Sequence, residues 1–325
     1  TAMGKDPWLA FHAFFVKPVT TLYGVGELLG KATPLMLIAV GLAAGYRANV
    51  WNIGAEGQLT MGAIFGGGIA LLFQESTSPL VLPMMLIAGV AGGMLWAAIP
   101  AYLRTRCNAN EILTSLMLVY VATLTLSLLV HGAWRDPEGF NFPQSKLFGE
   151  AALLPILLPE TRLNVALLLA LAVVAAGWVF MHKSLAGFQM RVAGLAPGAA
   201  NYAGISGRRT VWLGMLIGGA CAGLAGVSEV AGPIGQLLPS VSPGYGFAAI
   251  IVAFVGRLHP LGIVLASLLM SLLYLGGESA QINLALPSAV TGLFQGTLLF
   301  FLLAADVFIH YRLRVARPAR RAVPI

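Results

Sequence analysis

Charge is scarce in this sequence. Of 325 residues only 12 are acidic and 19 basic, 10% in all, against about 25% in an ordinary soluble domain. With 58% hydrophobic residues it cannot cover itself with polar surface, which excludes a soluble globular protein. A single all-α, polytopic membrane domain over 1–325 is the expectation. Cysteine is nearly absent: Cys107 and Cys221 stand far apart without clustered histidines or carboxylates, so neither a disulfide framework nor a zinc site is indicated. The phosphate-binding pattern G-x-x-x-x-G-K-[ST] is missing too, since Gly26 to Lys31 has the wrong glycine spacing and no Ser or Thr follows. HExxH, CxxC and GxSxG do not occur. The chain thus offers no ATP site and no catalytic constellation, and a non-catalytic role without metal or cofactor of its own is expected. A signal peptide and an initiating methionine are also lacking, which reads as a trimmed or incomplete N-terminus.

Glycine is abundant, 39 residues, as suits membrane helices whose backbones approach closely. A bilayer core takes about 20 apolar residues per helix. By that rule full-length spans fall near 57–73, 80–102, 110–130, 162–181, 211–229, 258–276 and 287–309. Two shorter segments, about 33–48 and 244–256, run into polar or glycine-containing breaks, giving some 8–10 helices with the broken ones. Residues 8–30, with Trp8, Phe11, Phe14, Phe15 and Tyr23, look amphipathic and suited to an interface.

The net charge of +7 lies in short segments between apolar runs, so it speaks for topology and against nucleic acid. Arg104 and Arg106, the stretch about 182–210 with His182, Lys183, Arg191, Arg208 and Arg209, and a tail about 310–325 with Arg312, Arg314, Arg317, Arg320 and Arg321 are expected on the cytoplasmic side. The mixed-charge stretch about 131–161, with four prolines, is expected outside. Parity then makes 244–256 dip inward and 258–276 return, turning at Gly256-Arg257-Leu258-His259-Pro260. The segment 33–48, the break Arg47 to Gly57 and 57–73 repeat the arrangement. Paired broken hairpins in two pseudo-repeated halves point to a central transport site.

Three constellations carry polar chemistry into this apolar setting. In Trp51-Asn52-Ile53-Gly54-Ala55-Glu56-Gly57-Gln58, an intramembrane carboxylate and two amides either line a pathway or tie broken backbone together, with Glu56 paired to Arg47 in the second case. Asn110, Glu111 and Thr114, at the start of a span, suit either helix capping or a solute path. In the loop Gly187 to Ser206, Ala199, Ala200, Tyr202 and Ala203 follow a Pro-Gly turn and suit a short helix ended by Gly204, which either docks in another protein's groove or serves as a plain connector.

The run Arg47-Ala48-Asn49-Val50-Trp51-Asn52-Ile53-Gly54-Ala55-Glu56-Gly57-Gln58-Leu59 resembles a signature of bacterial nucleoside and simple-sugar ABC importer permeases, relatives of ribose and branched-chain amino acid permeases. Asn110-Glu111-Ile112-Leu113-Thr114-Ser115-Leu116-Met117-Leu118 looks like a second motif of that branch, and Arg191-Val192-Ala193-Gly194 with Ala199-Ala200-Asn201-Tyr202-Ala203-Gly204-Ile205 like a third. Val50-Trp51 and Leu195-Ala196-Pro197-Gly198 depart from the usual pattern, at positions bearing on solute and on partner.

The resemblance implies a permease in the bacterial inner membrane with a cytoplasmic C-terminus. It implies a cytoplasmic ATPase partner that binds ATP and Mg, a second permease chain, related or identical, and an extracytoplasmic solute-binding protein. It assigns ATPase coupling to Arg191, Gly194, Ala199, Ala200, Tyr202 and Gly204. It suggests Asn52, Glu56, Gln58, Asn110 and Glu111 for the solute path; beside them the ring of Trp51 would suit stacking on a base, and Thr114 shares a helix face with Asn110. A nucleoside is the expected cargo, with a simple sugar such as ribose or a branched-chain amino acid as alternatives. From another class, the residues also admit an ion-coupled transporter or channel using Glu56 or Glu111.

Overall fold

The computed structural model describes residues 11–284 continuously, with Trp8 and scattered positions between 287 and 308; the expected last span and the basic tail lie largely outside the described residues. Ten α-helices follow in order among the described residues: α1 Leu22–Arg47, α2 Ala55–Leu72, α3 Val81–Cys107, α4 Glu111–His131, α5 Ala166–Lys183, α6 Leu185–Leu195, α7 Pro197–Tyr202, α8 Gly207–Glu229, α9 Tyr245–Val255 and α10 Pro260–Leu284. A π-turn over Val230–Ile234 extends α8. No strand occurs among the described residues. In hydrocarbon every backbone polar group must be satisfied within its own segment, which is why these apolar runs are helices.

Among the described residues, six helices are long and apolar enough to span a bilayer. In α1, 78% of the apolar window is buried inside the protein, against 22% in α4 and in α5, so α1 is the central helix and α4 and α5 present broad faces to their surroundings. α8 packs chiefly on α3, α1 and α2. Lipid tails are as apolar as leucine, so close van der Waals contact between helices must hold such a bundle together. Glycine allows that contact here. A Cβ on Gly62 of α2 would stand 2.4 Å from the Gly223 Cα of α8, and one on Gly93 of α3 would stand 2.2 Å from the Gly219 carbonyl oxygen.

Most expected spans are observed within a few residues, and the turn at Gly256 to Pro260 is where it was placed: α9 ends at Val255 and α10 begins at Pro260. The start of the chain requires a correction. Residues 22–47 form one continuous 26-residue helix, not a short dipping segment after an interfacial stretch. This helix carries Glu27 and Lys31 into the bundle. Lys31 pairs with Glu278 of α10 at 2.8 Å, and Glu27 lies 4.0 Å from Arg162. Among the described residues, short turns over His12–Val16 and Lys17–Val19 precede it, and Phe14 is buried there.

The two ends of the bundle differ in character. At one end stand Arg47, His182, Arg191 and Arg257, around one pocket. At the other, the stretch after α4 is laced to the stretch after α8: Ser145 N–H donates to the Leu237 carbonyl, Phe148 N–H to that of Gly235 and Leu154 N–H to that of Ala231, at 2.8–2.9 Å.

Candidate solute pathway

The break between α1 and α2 is built from its own side chains. Asn49 takes a left-handed conformation, φ 55°, that ends α1. The Tyr46 hydroxyl donates to the Asn52 carbonyl at 2.9 Å. Asn52 and Gln58 face each other as reciprocal amides: Asn52 Nδ2 donates to Gln58 Oε1 at 2.9 Å and Gln58 Nε2 to Asn52 Oδ1 at 3.0 Å, while Gly54 N–H also donates to Asn52 Oδ1 at 3.0 Å. Both residues are 1% exposed. Their amides are thus used in holding the break, which is the second of the two roles open to them from sequence.

Trp51 is engaged in the same way. Its indole N–H donates to Asn49 Oδ1 at 2.8 Å, and its ring lies 5.3 Å from Tyr46 and 5.8 Å from Phe254, the latter nearly parallel. These contacts join the break to the far end of α9. Gly54 and Gly57 let α4 approach: a Cβ on Gly54 would be 2.8 Å from the Ser115 carbonyl oxygen, and one on Gly57 2.9 Å from Val119 Cα.

Replacing Asn52 by leucine strands the Gln58 amide in a buried site, a cost of about 1–3 kcal/mol. Asn52→Leu and Gln58→Leu are each expected to lower the melting temperature in detergent. The double variant should lose less than the sum of the two, because both remove one interaction. Strict additivity in such a cycle would count against the pair.

Glu56 behaves differently. It sits in the first turn of α2, and its Oε2 accepts a 2.6 Å hydrogen bond from Gly246 N–H in the first turn of α9. α9 has 11 residues, about 16 Å of rise, so it reaches only halfway through a bilayer, and its N-terminal amides and positive dipole end point at this carboxylate. Close contact of the two helix starts demands glycine at 246, where a Cβ would meet Glu56 N at 2.2 Å. Ser242 braces the turn ahead of α9, its Oγ accepting from Gly244 N–H at 3.0 Å and Tyr245 N–H at 2.8 Å. Gly244 holds φ 97°, open to glycine alone at little cost.

Beside Glu56 opens a cavity of about 390 Å³, walled by Thr60 of α2, by Tyr120, Thr123 and Leu124 of α4, and by Ser240, Ser242 and Phe247. That volume falls in the range of about 300–1,000 Å³ usual for small-molecule sites. The wall mixes one carboxylate, several hydroxyls and two aromatic rings.

The remaining pathway candidates lie elsewhere. Asn110 caps α4, Oδ1 accepting from Ile112 N–H at 2.9 Å; Thr114 Oγ1 donates to the Asn110 carbonyl at 3.0 Å; and Glu111 pairs with Arg104 of α3. This motif builds a helix junction at the basic end. Sequence reasoning missed the α9 partners of Glu56, although Ser240-Val241-Ser242-Pro243-Gly244-Tyr245-Gly246 ahead of a short apolar run is the signal of a half-helix N-terminus.

The candidate coupling residues form a compact exposed unit. Ser184 caps α6, accepting from Gly187 N–H at 2.9 Å. Pro197 opens α7, Ala199 and Arg191 are exposed, Ala200 is buried, Tyr202 is 97% exposed, and Gly204 ends the helix at φ 77°. Gly194 lies on the last carbonyl of α1, where a Cβ would meet Arg47 O at 2.3 Å. α6 thus bears directly on the residues that lead into the break.

Residues 24–303 match the family described as branched-chain amino acid transport system / permease component. The chain belongs to this family. Among curated relatives, the permease is 38% identical to the glucose ABC transporter permease protein TsgB13 of Haloferax volcanii, over 97% of this chain and 85% of that one. It is 30% identical to the guanosine ABC transporter permease protein NupP of Bacillus subtilis, over 86% and 81%. It is 28% identical to the nucleoside ABC transporter permease protein NupB of Lactococcus lactis, over 99% and 89%. No solved structure matches the permease significantly.

Proposed function

We propose that this permease is the transmembrane subunit of an ATP-driven importer and that its cargo is a nucleoside. The observation that carries the cargo reading is the half-membrane meeting of Glu56 with the α9 N-terminus, opening on a cavity with hydroxyls and rings. Thr60, Thr123, Ser240 and Ser242 offer donors and acceptors to ribose hydroxyls, and Tyr120 and Phe247 offer faces to a base. The names of two relatives, guanosine and nucleoside permeases, support it. A hexose is the second reading, favoured by the 38% identity to a glucose permease.

The partners of this reading are a cytoplasmic ABC ATPase that binds ATP and Mg, a solute-binding protein and a second permease chain, related rather than identical in the first instance. Its setting is the inner membrane with the basic end and C-terminus cytoplasmic. This subunit makes and breaks no bond. Closure of the ATPase pushes α7 and α6, and Gly194 passes the displacement to Arg47 and the break.

Uptake of labelled guanosine, adenosine, glucose, ribose and leucine in cells with and without the gene tests the reading, with ATP and ion gradients collapsed separately. Gene-dependent nucleoside uptake that tracks ATP is expected; glucose uptake would move the cargo to the second reading, and gradient-driven uptake would overturn the ATPase partnership. In the same assay Arg191→Glu with Tyr202→Ala should reduce uptake to background while leaving the amount of inserted permease unchanged. Normal uptake by that variant would remove α6 and α7 from coupling.

A further inference from the structure

A cavity of about 190 Å³ lies at the end of the bundle away from Arg47. α1 passes it between Gly26 and Pro34, and Gly30 stands 17 residues before Arg47, about 26 Å of helix rise. Two helices that wall it carry a proline where they do so. Pro34 has no N–H to return to the Gly30 carbonyl, and Pro233 sits in the π-turn that extends α8. Irregular backbone at membrane depth is tolerated where it lines a cavity. A Cβ added at Gly30 meets nothing within 4 Å, so the chain leaves room at this point.

Glu27 and Lys31 of α1, Glu229 of α8 and Arg162 ahead of α5 all line it, two carboxylates against two cations. Ionisable groups inside a bilayer are costly and mark a pathway or a partner. The balance of signs disfavours an ion of either charge and suits a neutral solute. Two polar atoms of the wall are unmatched among the described residues. Ser228 is 4% exposed, yet its Oγ has no hydrogen-bond partner. Neither has Glu27 Oε1, which lies 4.0 Å from Arg162 Nε, beyond hydrogen-bond reach. Buried polar atoms are normally paired, so a ligand that pairs these two recovers what their desolvation costs. Carboxylates only accept and ammonium or guanidinium groups only donate, whereas a hydroxyl does both, so a ring bearing several hydroxyls matches this mixed wall. Tyr245 adds a buried aromatic face. The volume falls below the about 300–1,000 Å³ of drug-sized sites and admits one ring rather than a ring and a base together.

We propose that this cavity is an entry subsite for the sugar ring of the solute, with Glu27, Glu229 and Ser228 accepting from its hydroxyls and Lys31 and Arg162 donating to them. The inference rests on the reading of the permease as an importer of a nucleoside or a sugar, and names the part of that solute held first. Tyr245 lies in the wall here, while Ser242 and Phe247 lie in the wall of the Glu56 cavity, so the first turn of α9 stands between the two. A ring released past Tyr245 meets Glu56 next.

The test is alkylation of Gly30→Cys by iodoacetamide in the permease purified with its partner subunits, followed peptide by peptide by mass spectrometry. Guanosine, ribose or glucose should slow the reaction about tenfold at a concentration of some ten times Kd, and guanine should not. Adding Glu27→Gln and Ser228→Ala should raise the half-protecting concentration about tenfold or more. Gly207→Cys, at an equally open glycine outside the cavity, should react at one rate with and without sugar. A lower half-protecting concentration for guanosine than for the sugars identifies the ring as that of a nucleoside, and a lower one for ribose or glucose as that of a free sugar; either supports the subsite. Protection by guanine equal to that by guanosine would overturn the ring as the recognised group. No protection by any of the three solutes, a Gly30→Cys thiol that never reacts, or equal protection at Gly207→Cys would overturn the site. An unchanged half-protecting concentration in the Glu27 and Ser228 variant would overturn the contacts assigned to it. Protection at position 30 in a permease that imports none of these solutes would sink the cargo reading and leave the subsite standing.

Discussion

Glu56→Gln should cut uptake about tenfold or more without changing how much permease reaches the membrane. The substitution preserves volume and leaves an oxygen able to accept from Gly246 N–H. It removes the charge that faces the α9 N-terminus, and a charge-assisted hydrogen bond is roughly twice as strong as a neutral one. Interaction with the helix dipole adds up to about 2 kcal/mol in a partly buried setting. Together these give a loss of about 1.5–3 kcal/mol, which is one to two decades in a rate or an affinity. Because Glu56 also walls the cavity, solute competition should weaken in parallel. Labelled-nucleoside uptake normalised to membrane abundance checks this. Wild-type uptake by the glutamine variant would take Glu56 out of the pathway and leave it as a brace for α9.

Gly62→Val should yield little or no folded permease. A Cβ at 62 would lie 2.4 Å from both the Cα and the carbonyl oxygen of Gly223, so backbone meets backbone and no side chain can rotate away. Overpacking a core that can adjust costs about 1–3 kcal/mol. Here α2 and α8 must separate along their length, and the loss falls on contacts that supply the association energy of the bundle. A monodisperse peak in detergent gel filtration with a wild-type melting temperature would contradict this. Gly30→Ala is the control, because its Cβ meets nothing within 4 Å.

How far the sequence anticipated this molecule can be followed along α1, the break and α9. Apolar run length located α2 to α5 and the α9–α10 turn, since in a bilayer length and polarity dominate and tertiary contacts shift only the ends. The same rule failed at residues 22–30. At its edge the stretch carries a lysine, Lys31, whose partner Glu278 is far away in sequence, and an apolar count cannot see that contact. In the break, residue types were visible but their partners were not. Asn52 and Glu56 both look like intramembrane polar groups, and only Gln58 opposite the first and Gly246 opposite the second tell them apart. The capping by Asn110 was legible because a cap is a local interaction.

The short length of α9 has a consequence for biogenesis. Eleven residues are too few to leave the translocon as a stable span, and the Gly246 N–H of its first turn is satisfied by Glu56 of α2, not by anything lipid can offer. α9 must therefore enter the membrane together with α10, as a hairpin. The carboxylate of Glu56, synthesised some 190 residues earlier, waits without its partner until then. Ribosomes that stall or terminate before residue 260 would release a chain with most of its spans in place and an unshielded acid in the bilayer, a ready mark for membrane quality control.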